Sequence, residues 1–298
     1  MRNYFVTFLC SIALALPLSL NAAPAQKTHE FHLDNGLKVI VREDHRAPIV
    51  VSQLWYKVGS SYEVAGNTGL SHALEHMMFK GSSKLGPGEA SRVFRELGAQ
   101  ENAFTSDDYT AYYQVLARDR LETALEMEAD RMASATLPAD EFVKELEVIK
   151  EERRLRTEDN PSALAYERFK ALAYLSSGYR NPVIGWMHDL ERMTIEDLRQ
   201  WYQQWYSPNN ATLVIVGDVQ LNEVKPLVER YFGPIPARPV PDAKKPLELA
   251  EPGERRAELY LKTELPSLTI GFNVPSLQTA DNPKDVYALR LISAILDG

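Results

Sequence analysis

The sequence contains one cysteine, Cys10, and it lies inside the first apolar stretch. Once that stretch is removed no thiol remains. This excludes a disulfide framework and a cysteine-ligated metal. No later run is long and apolar enough to span a bilayer. Basic charge is not in excess: 33 Lys and Arg stand against 41 Asp and Glu, for a net charge of -8. Neither sign forms a long block. The balance argues against a non-specific binder of nucleic acid or of anionic membrane. Gly66-Asn67-Thr68-Gly69 precedes a helical pattern but lacks the phosphate-loop spacing. What the chain does have is apolar material. A hydrophobic content of 45% over 298 residues is enough for a sizeable core, in one large domain or two.

The first residues read as a secretory signal. Arg2 supplies the positive start, Phe5 to Leu16 the uncharged apolar core, and Pro17 the break. Ala23-Pro24-Ala25 fits the small-x-small cleavage rule, with Ala22 as a second cut. Residues 1–25 are therefore expected to be removed, leaving a periplasmic or secreted protein with no stable membrane span. No small-residue lipobox precedes Cys10, so lipid anchoring is not expected.

The remaining pattern alternates between the two structural periods. Residues 29–33 and 37–42 read as paired strands around Asn35-Gly36. A third strand is expected over 49–58, and a second strand pair over 100–105 and 109–116. Helical patterns cover about 70–79, 89–97, 118–133, 139–158, 162–174, 194–205 and 221–232. ATLVIVGDV, residues 211–219, reads as a buried strand. Residues 236–252, rich in Pro, Ala and charge, read as an inter-domain linker. Strands near 257–263 and 267–274 and a helix from about Pro283 to Leu296 are expected beyond it. Ala47 to Gly81 and Leu265 to Gly298 share one order of strand, loop, apolar helix and glycine. A common offset places His72, Glu75 and His76 on Leu289, Ile292 and Ser293. The pattern implies a duplicated domain whose second copy lacks those polar residues. The apolar helix LISAIL has almost nothing after it, so the second copy, 253–298, is expected to be incomplete.

Those polar residues carry the chemistry. In His72-Ala-Leu-Glu75-His76 the two histidines are four apart. On a helix that is ~40° around the axis and about 6 Å along it, so both rings can face one ion. Neutral imidazoles suit zinc. Glu75 projects near such an ion, at an angle suited to taking a proton from its water. This is the HExxH logic in reverse order. The apolar neighbours Leu70, Leu74, Met77, Met78 and Phe79 predict a buried helix, where such groups are costly unless satisfied together. A third ligand is expected within residues 144–161. Glu145 and Glu152 share a helical face, with Val148 and Ile149 between them on the inward side. Glu151, Glu158 and Asp159 are expected to face solvent with the neighbouring arginines. Geometry alone leaves Glu145, Glu151 and Glu152 open. His29, His32, His45 and His188 are expected to be structural or surface residues. Trp201, Tyr202, Trp205 and Tyr206, at helical spacing, are expected to pack rather than to stack on bases.

HALEHMMFKG, then ENAFTSDDYTAYY, then ELEVIKEE resembles the pitrilysin/insulinase family of zinc peptidases, from about residue 28 onward. In that family a ligand glutamate follows the second histidine after about 75 residues, which falls on Glu152. The resemblance implies one zinc per chain on His72, His76 and Glu152, with Glu75 as general base and Glu145 in support. It implies that Asn102, Ala103, Phe104 and Thr105 form an edge strand that pairs with extended peptide. It also implies an α+β fold of two similar domains, each a mainly antiparallel sheet covered by helices, the catalytic one over 28–235. The expected activity is endopeptidic hydrolysis of unfolded peptides, held in a chamber between two halves. In that family the second domain carries an Arg/Tyr pair that supports the transition state, and the chain is expected to end before such a pair. The alternative is a subunit that needs a second peptidase-like partner or the missing half.

Overall fold

The computed structural model describes residues 27–242, 248–249 and 253–297. The expected signal peptide, and residues 243–247 and 250–252 of the expected linker, lie outside the described residues.

The fold is α+β. One six-stranded sheet is built from β1 (Thr28–His32), β2 (Lys38–Glu43), β3 (Ile49–Tyr56), β4 (Gln100–Thr105), β5 (Thr110–Ala117) and β6 (Ala211–Gly217), in the order β1-β2-β6-β3-β5-β4. All neighbouring pairs are antiparallel except β2 and β6. The late strand β6 reaches the middle of the sheet because all its side chains but Thr212 are apolar, and an interior position buries both its faces better than an edge would. Period-2 alternation sets the register. Val50, Leu54 and Tyr56 of β3 and Leu213 and Ile215 of β6 turn to the helix-covered face and are almost wholly buried. Each such aliphatic side chain contributes ~1.5–3 kcal/mol when fully buried.

Helices cover that face. They are α1 (Leu70–Met77), α2 (Glu89–Glu96), α3 (Leu121–Ser134), α4 (Ala139–Arg153), α5 (Pro161–Ala173), the single turn α6 (Met187–Leu190), α7 (Ile195–Trp205) and α8 (Leu221–Phe232). Helix α1 packs on β4 and β5 and touches α4 and α7, while α3 packs on β3 and β5 and α8 on β2. Trp201, Tyr202, Trp205 and Tyr206 lie in the core, with Tyr206 stacked on Tyr56 at 4.0 Å between ring centroids. The helix expected over 139–158 divides: α4 ends at Arg153, and residues 154–158 continue as one wider π turn. Val148, expected to pack inward, is exposed, while Ile149 is buried.

The strands expected near 257–263 and 267–274 do not form; residues 253–275 run without regular structure. A strand needs a neighbour for its backbone groups, and an isolated hairpin is marginal in water. Among the described residues no strand lies beside them, and Tyr260, Leu268 and Phe272 are exposed. The last expected helix does form, as α9 (Pro283–Asp297). Among the described residues no helix is long and apolar enough to cross a membrane.

Candidate metal centre

Helix α1 carries His72, Glu75 and His76 beneath the sheet's β4 edge, and α4 lies across it with Glu145 and Glu152. The burial of Leu70, Ala73, Leu74 and Met77 fixes the rotation of α1. That rotation turns both imidazoles towards α4, with ring centroids 4.6 Å apart.

Glu152 Oε2 lies 3.7 Å from His72 Nε2 and 3.5 Å from His76 Nε2. Donors about 2.1 Å from a tetrahedral zinc stand roughly 3.4 Å from one another, so the spacing and the nitrogen–oxygen donor set fit that ion. His72, His76 and Glu152 are the only such group found among the described residues, with donor atoms all within 4.8 Å of one another. Of the three glutamates that sequence geometry left open, Glu151 points away, to Arg154 at 2.9 Å. Glu145 stands behind His76. Its Oε1 is 3.0 Å from Nδ1, and its Oε2 is 2.6 Å from Lys80 Nζ. With the proton on Nδ1, His76 donates to Glu145 and turns the Nε2 lone pair towards Glu152. Arg156 braces the other Glu152 oxygen at 2.8 Å.

The electrostatics separate the two histidines. Burial and the neighbouring His76 push His72 down to about 4, which favours the neutral imidazole that metal ligation requires. Burial acts in the same direction on His76, but its contacts with Glu152 and Glu145 prevail and raise it. Burial also raises Glu75, opposed by a hydrogen bond from Thr105. A carboxylate raised in this way is a stronger base than one in water.

The β4 residues Asn102, Ala103, Phe104 and Thr105 lie on the outermost strand, next to β5 alone. Ala103 turns to the core, Asn102 and Phe104 turn outward, and Thr105 reaches Glu75. Three of the four remaining histidines pair with carboxylates away from this site: His29 with Glu43, His45 with Asp218, and His188 with Asp189. Sequence reasoning missed Lys80, Arg156 and the buried Arg153. All three sit in charged or motif-flanking stretches whose composition gives no sign of direction.

An HxxEH helix facing a helix-borne glutamate, on an α+β frame, defines a zinc metallopeptidase domain of the inverted-motif class. The family follows from sequence comparison. Residues 38–185 match the family described as Insulinase (Peptidase family M16), and residues 192–298 match the Peptidase M16 inactive domain. The chain belongs to this family, and zinc is its metal. It is 32% identical to zinc protease PqqE of Helicobacter pylori over 99% of its own length and 68% of that protein's. It is similar to the crystal structure of a protease from Helicobacter pylori, with a TM-score of 0.71 at 34% identity over 74% of this chain and 55% of that one. It is also similar to the first half of the periplasmic protease PqqL from Escherichia coli, with a TM-score of 0.70 at 27% identity over 76% of this chain and 50% of that one. The chain thus spans half to two thirds of the length of these relatives.

Proposed function

We propose that this chain acts as an exported zinc metalloendopeptidase that cleaves extended peptides. One observation carries the reading: Thr105, on edge strand β4, is hydrogen-bonded to Glu75 beside His72 and His76, so a peptide added along β4 would pass the base. Zinc, when bound, supplies Lewis acidity, activating water and polarising a carbonyl.

The chain's own groups do the rest. His72, His76 and Glu152 hold the ion, and Glu145 fixes the His76 ring. The open edge of β4 offers a row of backbone donors and acceptors to an extended peptide. Such pairing needs a free strand in the substrate, which favours unfolded chains. Phe104 packs edge-on against Trp55, with ring centroids 5.4 Å apart, and leaves an apolar rim for substrate side chains. Glu75 accepts the proton of the attacking water and passes it to the leaving amine.

The N-terminal signal pattern and the periplasmic PqqL relative support export. We divide the mature chain into a catalytic domain over 28–235, a linker over 236–252 and a second, non-catalytic domain from 253. A partner-dependent subunit is the second reading. It is favoured by the exposed Tyr260, Leu268, Phe272, Leu291 and Ile295, which a further protein surface would cover.

Hydrolysis of a quenched peptide library by zinc-loaded protein, with a chelator control, tests both. Chelator-sensitive cleavage supports the first reading. Stoichiometric zinc without cleavage supports the second.

A further inference from the structure

Helix α1 begins without a cap of its own. Its N-cap residue is Gly69, which has no side chain to accept the first free N–H groups. Glu63, from the preceding loop, takes that place. Its Oε2 accepts from Gly69 N and its Oε1 from Ser71 N, both at 2.7 Å, and its side chain is buried. One carboxylate thus holds the turn that carries His72.

A buried ion pair holds the other ligand helix. Arg153 follows Glu152 directly and is 2% exposed. Its Nη1 and Nη2 donate to the two oxygens of Glu167 on α5, at 2.8 and 3.1 Å. The same Nη1 donates to Gly185 O at 2.8 Å. Gly185 in turn lies against Gly69. A Cβ on Gly185 would stand 2.7 Å from Gly69 Cα, and one on Gly69 would stand 3.0 Å from Gly185 Cα. Both glycines have positive φ, +87° and +90°. Asp189 completes the join by accepting from Thr68 N and Thr68 Oγ1, while Thr68 Oγ1 accepts from Trp186 N.

We propose that Arg153 and Glu63 are positioning residues: acting through the Gly185–Gly69 backbone contact, they fix α1 against α4 and so set the spacing of His72 and His76 from Glu152. The two ligand-bearing helices meet a common backbone anchor. An Arg fork is suited to it because one planar group serves a carboxylate and a carbonyl at once, which a lysine ammonium does not reproduce. Glutamine at 63 keeps one acceptor and turns an amide donor towards a backbone N–H. The proposal rests on His72, His76 and Glu152 as the metal ligands.

The test uses the full chain, with cobalt as a spectroscopic stand-in for zinc and chelator competition to measure affinity. Arg153→Lys should weaken metal binding ten- to a hundredfold, the usual scale for outer-shell partners, and should shift the visible cobalt bands. Glu63→Gln should act in the same direction, and it decides the matter if Arg153→Lys does not fold. Ile215→Ala, a buried change on β6, is the control. It should lower the melting temperature while leaving metal affinity and the cobalt spectrum unchanged. Unchanged affinity and spectrum in folded Arg153→Lys or Glu63→Gln overturns the proposal, as does an equal loss in Ile215→Ala. Wild type and His76→Ala report on the ligand assignment by themselves. One cobalt per chain, lost in His76→Ala, supports it; equal binding by both overturns it and the clamp with it.

Discussion

Thr105 Oγ1 donates a hydrogen bond to Glu75 Oε2 at 2.5 Å, joining edge strand β4 to the carboxylate beside the metal-site histidines. Burial raises Glu75, and this hydrogen bond opposes the rise. Thr105→Val removes the opposition, so the base should hold its proton to higher pH. The acid limb of the pH–rate profile should move upward. Activity on that limb should fall on the order of tenfold, about 1.5 kcal/mol for a hydrogen bond to a charged group. Superimposable profiles for the two proteins would rule out the coupling.

Glu75→Gln keeps the shape of the side chain and removes its basicity. Peptide hydrolysis should fall at least ~10²-fold while zinc content, read by atomic absorption, stays at one per chain. Full turnover in this variant would remove Glu75 from the mechanism.

Glu152→Gln and Glu145→Gln should separate a ligand from its support. Losing the Glu152 carboxylate should abolish tight zinc binding. Losing Glu145 frees the His76 ring and should cost roughly 10–100-fold in affinity. Zinc retained in full by Glu152→Gln would show that another group is the third ligand.

Zinc affinity should also depend on pH in a defined direction. The Glu152 and Glu145 contacts raise His76, so a proton competes for its ring at a pH where an ordinary imidazole is already neutral. Binding should weaken as pH falls, starting above the usual imidazole range, and should release protons in a calorimetric titration. Buffer-independent binding heats would contradict this.

Glu63 makes a stability prediction. Burial pushes it up to about 7 from 4.5, against the pull of the N–H bonds from Ser71 and Gly69. The folded state then holds a proton that the unfolded chain releases between those values. Its contribution to stability is fully present below about 4.5 and is lost as pH rises through about 7, an upper bound of about 3 kcal/mol. The difference in urea unfolding free energy between wild type and Glu63→Gln should shrink by up to that amount from pH 4.5 to 8. A constant difference would refute the shift.

The site was legible in part because its spacing is local. His72, Glu75 and His76 are fixed relative to one another by one helical turn, and the apolar residues around them state which way that turn faces. Glu152 was not legible from geometry alone. Glu145, Glu151 and Glu152 lie on one charged helix, and the choice between them depends on how that helix is rotated against α1. Resemblance to the family pointed to Glu152, the glutamate that lies with the two imidazoles. Arg153 was hidden more deeply: in KEERRLRTE a buried arginine looks like a solvated one, and its partners Glu167 and Gly185 O come from later segments.

By itself the sequence determined the local periods, the element types over residues 28–232, the confinement of its one cysteine to the first apolar stretch and the presence of a paired-histidine helix, because each depends on neighbours within a few residues. The tertiary structure decided which carboxylate meets the imidazoles, which strand is the open edge, and that residues 257–274 lack the partners a strand requires. Those outcomes depend on groups far apart in the chain, and only packing brings such groups to within a few ångströms.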